Sequence, residues 1–100
     1  DEKFQTTYVS FLEHIRLKYP AAFILCTVGP MLSGTDLTTA RSNIAAAVRT
    51  RQAAGDTKVE AYEMTTPNAS PPGCDYHPNV ATQAAIASEL EQQLKAKLGW

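Results

Sequence analysis

Apolar residues change rhythm several times along the chain, and each rhythm predicts an element. Phe4, Tyr8, Phe11, Leu12, Ile15 and Tyr19 recur at spacings of three and four, the period of one helix face. They predict a helix over residues 1–19. Asp1 and Glu2 suit its positive end and Lys18 its negative end, and Pro20 stops it. Residues 23–28, Phe-Ile-Leu-Cys-Thr-Val, are then apolar on both faces of a strand. Such runs belong inside parallel sheets covered by helices on both sides. Gly29-Pro30 ends the run.

Helical spacing returns with Leu37, Ala40, Ile44, Ala47 and Val48. Thr35 or Asp36 is the expected cap of this second helix. Arg49 and Arg51 fall in its last turn, and Gly55 closes it. Residues 58–64 read as a second strand, with Val59 and Ala61 on one face and Tyr62 and Met64 on the other. The interleaved Glu60 and Glu63 suit an outer place in the sheet. Residues 65–78 are dense in Thr, Pro, Asn, Ser and Gly, the composition of a loop that carries sites. From about Asn79 a long final helix follows, with Val80, Ala84, Ala87, Leu90, Leu94 and Leu98 along one stripe and Gly99 at its end.

The order α-β-α-β-α implies two parallel strands joined by a right-handed crossover. The expected class is α/β, a three-layer α/β/α parallel sheet of flavodoxin-like type. A typical sheet has about five or six strands, and this sequence supplies two. The first is greasy enough to be interior yet has one neighbour. Residues 1–100 are therefore expected to be the C-terminal part of one larger domain, with the other strands N-terminal to Asp1. The alternative is an open edge covered by a second copy.

Composition narrows the partners. Nine Lys and Arg against ten Asp and Glu give a formal net charge of −1 over 100 residues, 44% of them hydrophobic. With no basic run, nucleic acid is not an expected partner. The longest apolar stretch is far short of the roughly 20 residues that span a bilayer, and no signal segment opens the chain. Cys26 and Cys74 either bridge or remain buried free thiols, and they lack zinc spacing. His14 and His77 lie far apart with no third ligand, so neither a metal nor another cofactor is expected.

The chemistry concentrates in Gly73-Cys74-Asp75-Tyr76-His77-Pro78-Asn79, after the last strand and before the last helix. Ligands of open α/β sheets bind outside the carboxyl ends of the strands. If the segment is extended, Asp75 and His77 share a face about 7 Å apart, so that a carboxylate could orient an imidazole base. The plainer alternative is that Asp75 or His77 only caps the helix. Met31, after the first strand, could line an acyl pocket or fill a gap.

Cys26-Thr27-Val28-Gly29-Pro30-Met31-Leu32 together with the Gly73–Gln83 stretch resembles the C-terminal half of the SGNH/GDSL hydrolases. The similarity is greatest to the carbohydrate esterase family 2 acetylesterases. The Phe4, Tyr8, Phe11, Leu12, Ile15, Arg16 pattern and the closing Leu98-Gly99-Trp100 fit the same family. The resemblance implies a secreted serine esterase that removes acetyl groups from plant cell-wall polysaccharides such as xylan. His77 matches the family's catalytic histidine, and Tyr76 stands where relatives often have tryptophan beside the substrate. The superfamily's aspartate lies three residues before its histidine, a place held here by Cys74. Asp75, two before, or a backbone carbonyl is thus the orienter. No Gly-Asp-Ser block is present. Of the five serines, Ser10, Ser42 and Ser88 fall in predicted helices, and neither Ser33 nor Ser70 has the nucleophile-elbow pattern. The nucleophile is expected on a preceding segment, and the chain alone is expected to be inert. A reading of another class is a small non-catalytic α/β interaction module that completes its sheet with itself or a partner.

Overall fold

The first apolar rhythm forms α1, Glu2–Lys18, in a computed structural model that describes residues 1–100. The Asp1 carboxylate caps it, accepting from the Phe4 N–H at 3.3 Å. The chain continues through β1 (Ile24–Thr27), α2 (Gly34–Ala53), β2 (Val59–Tyr62), a 3-10 turn (Cys74–Tyr76) and α3 (Val80–Leu98). It divides into two compact units: Asp1–Val28 with Gly34–Glu63, and Gly29–Ser33 with Met64–Trp100.

In the first unit β1 and β2 pair in parallel, Ile24 opposite Val59 and Cys26 opposite Ala61, with α2 as the crossover. Alternation turns Ile24, Cys26 and Val59 to one face. There Cys26 and Val59 meet Leu12 of α1 and Ile44 and Val48 of α2, with Tyr8, Ile24 and Val28 packed around them. Leu12 and Val59 are each 1% exposed, and full burial of such side chains contributes about 1.5–3 kcal/mol apiece. Burial also raises the Cys26 thiol and carries the Tyr8 phenol, hydrogen-bonded to it, up to about 12. The other face carries Leu25, Thr27 and Tyr62, which are only half-buried. This unit is thus a parallel α/β pair with two helices in one core, and the three-layer arrangement is not established by it.

A polar clamp closes the opposite end. Arg16 donates to both Asp56 oxygens at 3.0 Å. The same guanidinium reaches the carbonyls of Tyr19, Ala22 and Lys58. One side chain therefore ties the end of α1 to the turn between α2 and β2.

Several boundaries differ from expectation. Both strands are shorter than predicted, and β2 starts at Val59 because the Lys58 N–H is turned to Asp56 Oδ1. Helix α2 begins at Gly34, with φ +53, so Thr35 and Asp36 lie in its first turn rather than before it. The α1 stripe is wider than its covering: Phe4, Phe11 and Tyr19 are 42%, 54% and 65% exposed. The two cysteines are free, Cys26 buried and Cys74 exposed, so no bridge forms and only one thiol is a core group. No helix is long and apolar enough to cross a membrane.

In the second unit Asn79 caps α3, accepting from the Thr82 N–H at 2.8 Å. Gly99, left-handed at φ 71, closes it. The face of α3 that is covered matches the predicted stripe only in part: Leu90 and Leu94 are half-buried. Thr82 is buried while Val80 is 87% exposed, and Ala84 and Ala87 are exposed too. Polar groups decide the orientation. The Glu89 carboxylate takes the N–H groups of Thr65 and Thr66 at 2.6 and 2.8 Å and both threonine hydroxyls. An ionised acceptor with four donors holds a helix face more firmly than a few alanines could.

Candidate active site

Three hydrogen bonds fold the Gly73–Asn79 loop. The Gly73 N–H donates to the His77 carbonyl at 2.7 Å and the His77 N–H to the Cys74 carbonyl at 3.0 Å. The Asn68 amide nitrogen donates to the Tyr76 carbonyl at 2.8 Å. Two further contacts tie the preceding residues to the start of α3: Asn79 Nδ2 donates to the Pro71 carbonyl at 3.1 Å, and the Ala69 N–H to Thr82 Oγ1 at 3.3 Å.

The segment from Asp75 to His77 is not extended. Asp75 and Tyr76 are both left-handed, at φ 49 and φ 59, which for L-residues costs roughly 1–2 kcal/mol each. Asp tolerates this region; for an aromatic residue it is an outlier. The period-two geometry that would set the Asp75 carboxylate beside His77 is therefore absent, and no hydrogen bond joins that carboxylate to the ring. Instead His77 Nδ1 lies 3.0 Å from the Asp75 main-chain oxygen and 3.2 Å from that of Cys74. Both neighbours are acceptors, so Nδ1 carries the proton and Nε2 keeps its lone pair. With His77 exposed, that lone pair is open to a hydroxyl. The turn thus sets two main-chain acceptors, and not a carboxylate, against the ring.

Tyr76 is 78% exposed beside it. Met31 is 51% exposed, belongs to the same compact unit, and has no hydrogen bond to the His77 turn. His14 is exposed on α1. Hence Asp75, Tyr76 and His77 come together through the backbone, whereas nothing bonds Met31 to them. Asn68, Thr82 and Glu89, which shape the loop, were not singled out from sequence. Their partners lie 8 to 24 positions away, so local pattern carries no sign of them. In the first unit, the carboxyl ends of the strands line a cavity of about 190 Å³ that includes Thr27, Arg41 and Tyr62. There Thr27 Oγ1 is buried without a hydrogen-bond partner.

No protein-family model matches the chain. It is 40% identical over 99 residues to the cellulase/esterase CelE of Acetivibrio thermocellus, covering 98% of this chain and 12% of that protein. Its structure superposes with a TM-score of 0.90 and 39% identity on a family two carbohydrate esterase from Clostridium thermocellum in complex with cellohexaose. That match covers 99% of this chain and 31% of the other. A carbohydrate esterase family 2 enzyme plus carbohydrate binding domain from Corynascus thermopiles (Myceliophthora fergusii) superposes at 0.82 with 35% identity, over 96% of this chain and 30% of that one. The chain spans about a third of the length of these solved relatives, and a smaller share of CelE. Along nearly its whole length the chain is similar to part of the carbohydrate esterase family 2 enzymes.

Proposed function

We propose that this chain is the histidine-bearing C-terminal part of a secreted SGNH-type serine esterase that removes O-acetyl groups from plant cell-wall polysaccharide of the acetylxylan kind. The observation that carries the reading is the His77 ring, its Nδ1 turned to the Asp75 and Cys74 carbonyls, in a chain homologous to carbohydrate esterases. His77 Nε2 takes the proton of a serine hydroxyl supplied by the remainder of the domain. The serine oxygen attacks the acetyl carbonyl, and the imidazolium returns the proton to the departing sugar hydroxyl. Water, activated by the same nitrogen, then releases acetate from the acyl-enzyme. Asp75 serves through its main-chain oxygen, and Tyr76 and Met31 stand on the substrate side. Secretion belongs to the same proposal, since a wall polymer is met outside the cell.

Three expectations test this. The chain alone releases no acetate from acetylated xylan, whereas joined to the segment encoded before Asp1 it does. In the joined protein His77→Ala lowers kcat by about a thousandfold or more, the scale of a lost general base with its activated nucleophile. Asp75→Asn, which keeps the main-chain oxygen, lowers it less than about tenfold. Full activity in His77→Ala overturns the reading. So does a joined protein without esterase activity that only pairs through β1, the behaviour of an interaction module.

A further inference from the structure

The peptide unit between Tyr76 and His77 is fixed at both of its polar ends. Its N–H donates to the Cys74 carbonyl at 3.0 Å, and its carbonyl accepts from Asn68 Nδ2 at 2.8 Å. The following carbonyl, that of His77, accepts from the Gly73 N–H. These three bonds define where the His77 ring leaves the chain. Two are backbone bonds within the turn itself. The third comes from the one side chain that reaches in from outside it.

That third bond matters because the turn is strained. Asp75 and Tyr76 both occupy the left-handed region, and strained conformations persist only where the surroundings over-determine them. Without Asn68, the Tyr76 peptide unit is free to rotate toward a conformation with negative φ. That rotation carries the Asp75 carbonyl away from His77 Nδ1. The amide cannot be assigned the other way round, because its oxygen would then face the Tyr76 carbonyl, another acceptor. Asn68 is itself anchored: the next residue, Ala69, donates to Thr82 Oγ1, and Thr82 is 4% exposed in the first turn of α3. The path runs from the start of α3 through Asn68 to the histidine ring.

We propose that Asn68 is a positioning residue for His77, holding the left-handed Asp75–Tyr76 turn so that main-chain oxygens fix the ring's tautomer and aim Nε2 outward. The inference rests on His77 being the base of the proposed esterase, but its first test does not need activity. In the full 100-residue chain, nitrogen-15 spectra of the His77 ring at about pH 9, where imidazole is neutral, report which nitrogen carries the proton. In the parent protein it is Nδ1. In Asn68→Ala and in Asn68→Asp, whose carboxylate has the same shape but no donor, the population moves toward the Nε2–H form. Helix content by circular dichroism stays unchanged.

In the esterase completed by the segment before Asp1, both variants lower kcat about tenfold to a hundredfold, the range expected when a base is misplaced by about an ångström. KM stays within about twofold. Parent-like ring spectra in folded Asn68→Ala and Asn68→Asp overturn the proposal. Loss of the fold in both overturns it too, since the bond would then hold the unit and not the ring. An inactive completed enzyme with the predicted tautomer change leaves Asn68 in its role and rejects the esterase reading instead.

Discussion

Gly73 shows how little room surrounds the candidate base. Its φ of −74 is open to any residue, so the demand for glycine is one of space. A Cβ there would stand 3.2 Å from the His77 carbonyl oxygen and 3.3 Å from that of Pro78, both backbone atoms with no flexible end to yield. The Gly73 N–H meanwhile holds that same His77 oxygen at 2.7 Å. Gly73→Ala therefore has to move the backbone that follows the His77 ring, from its carbonyl to Asn79. We expect a stability loss of roughly 1–2 kcal/mol, at the low end for overpacking, read as a shift in the urea midpoint. In the completed domain we expect a fall in kcat of about tenfold or more, because a small displacement of a base is costly. An unchanged kcat would mean that the ring is held from elsewhere. The sequence left the partner of His77 open between the Asp75 carboxylate and a backbone carbonyl, and in the fold main-chain oxygens face the ring. Asp-x-His suggests alternating side chains, and only the Asn68 bond together with two positive φ values replaces the Asp75 carboxylate with its carbonyl. Tyr76 gives no local hint of a left-handed conformation, since its side chain disfavours one.

Among the elements, helix α2 was legible in its buried face though not at its start, because Ile44, Ala47 and Val48 repeat at helical spacing and are buried with Asn43. Helix α3 was legible in extent but only in part in orientation. Its stripe is covered at Leu90 and Leu94 but not at Val80, Ala84 and Ala87, where the face follows Thr82 and the Glu89 carboxylate with its threonine donors. Charged clamps of this kind have no periodicity to betray them. Arg16 and Asp56 form the second such clamp, 40 residues apart, and its consequence is measurable. The hydrogen bond from Arg16, aided by the Lys58 N–H and the nearby Arg51, holds the Asp56 carboxyl below its ordinary 3.8. A carboxyl whose folded value is depressed stabilises the fold fully above its unfolded value of about 3.9, and that contribution is lost as pH falls through the lower folded value. Urea unfolding of the parent chain is thus expected to show declining stability below about pH 4, a part of which Asp56→Asn removes. At pH 7, Arg16→Met leaves a carboxylate only 4% exposed and removes the guanidinium from the Ala22 carbonyl. A loss of about 3 kcal/mol is expected, the low end for breaking a buried pair. A loss below about 1 kcal/mol, the ordinary value of a surface pair, would mean that water replaces the guanidinium.

At the scale of the whole molecule, what is left uncovered is as informative as what is packed. Strand β1 pairs on one side only, and its Leu25 remains half-buried where an interior strand would be sealed. Along α1 the rings of Phe4, Tyr8 and Phe11 form a row, Phe4 stacked on Tyr8 at 5.6 Å between centroids and Phe11 tilted against Tyr8 at 6.0 Å. Yet Phe4 and Phe11 stay 42% and 54% exposed. Phenylalanines in a row on a helix are an expensive surface to leave in water, and an unpaired strand edge invites another strand. If the proposed remainder of the esterase domain is what covers them, the chain without it must satisfy these surfaces with copies of itself. Sedimentation of the isolated chain is then expected to show an apparent mass that rises with concentration. Phe4→Lys with Phe11→Lys should bring it toward the monomer without loss of helix content, since neither ring belongs to the buried core of Leu12, Cys26, Ile44, Val48 and Val59. The same pair of substitutions should weaken assembly with the preceding segment, lowering the recovered esterase activity through the amount of complex formed and not through kcat at saturation. A chain that stays monomeric at every concentration, with both phenylalanines in place, would show that two strands and three helices suffice by themselves. The physical reason for a larger domain would then be gone.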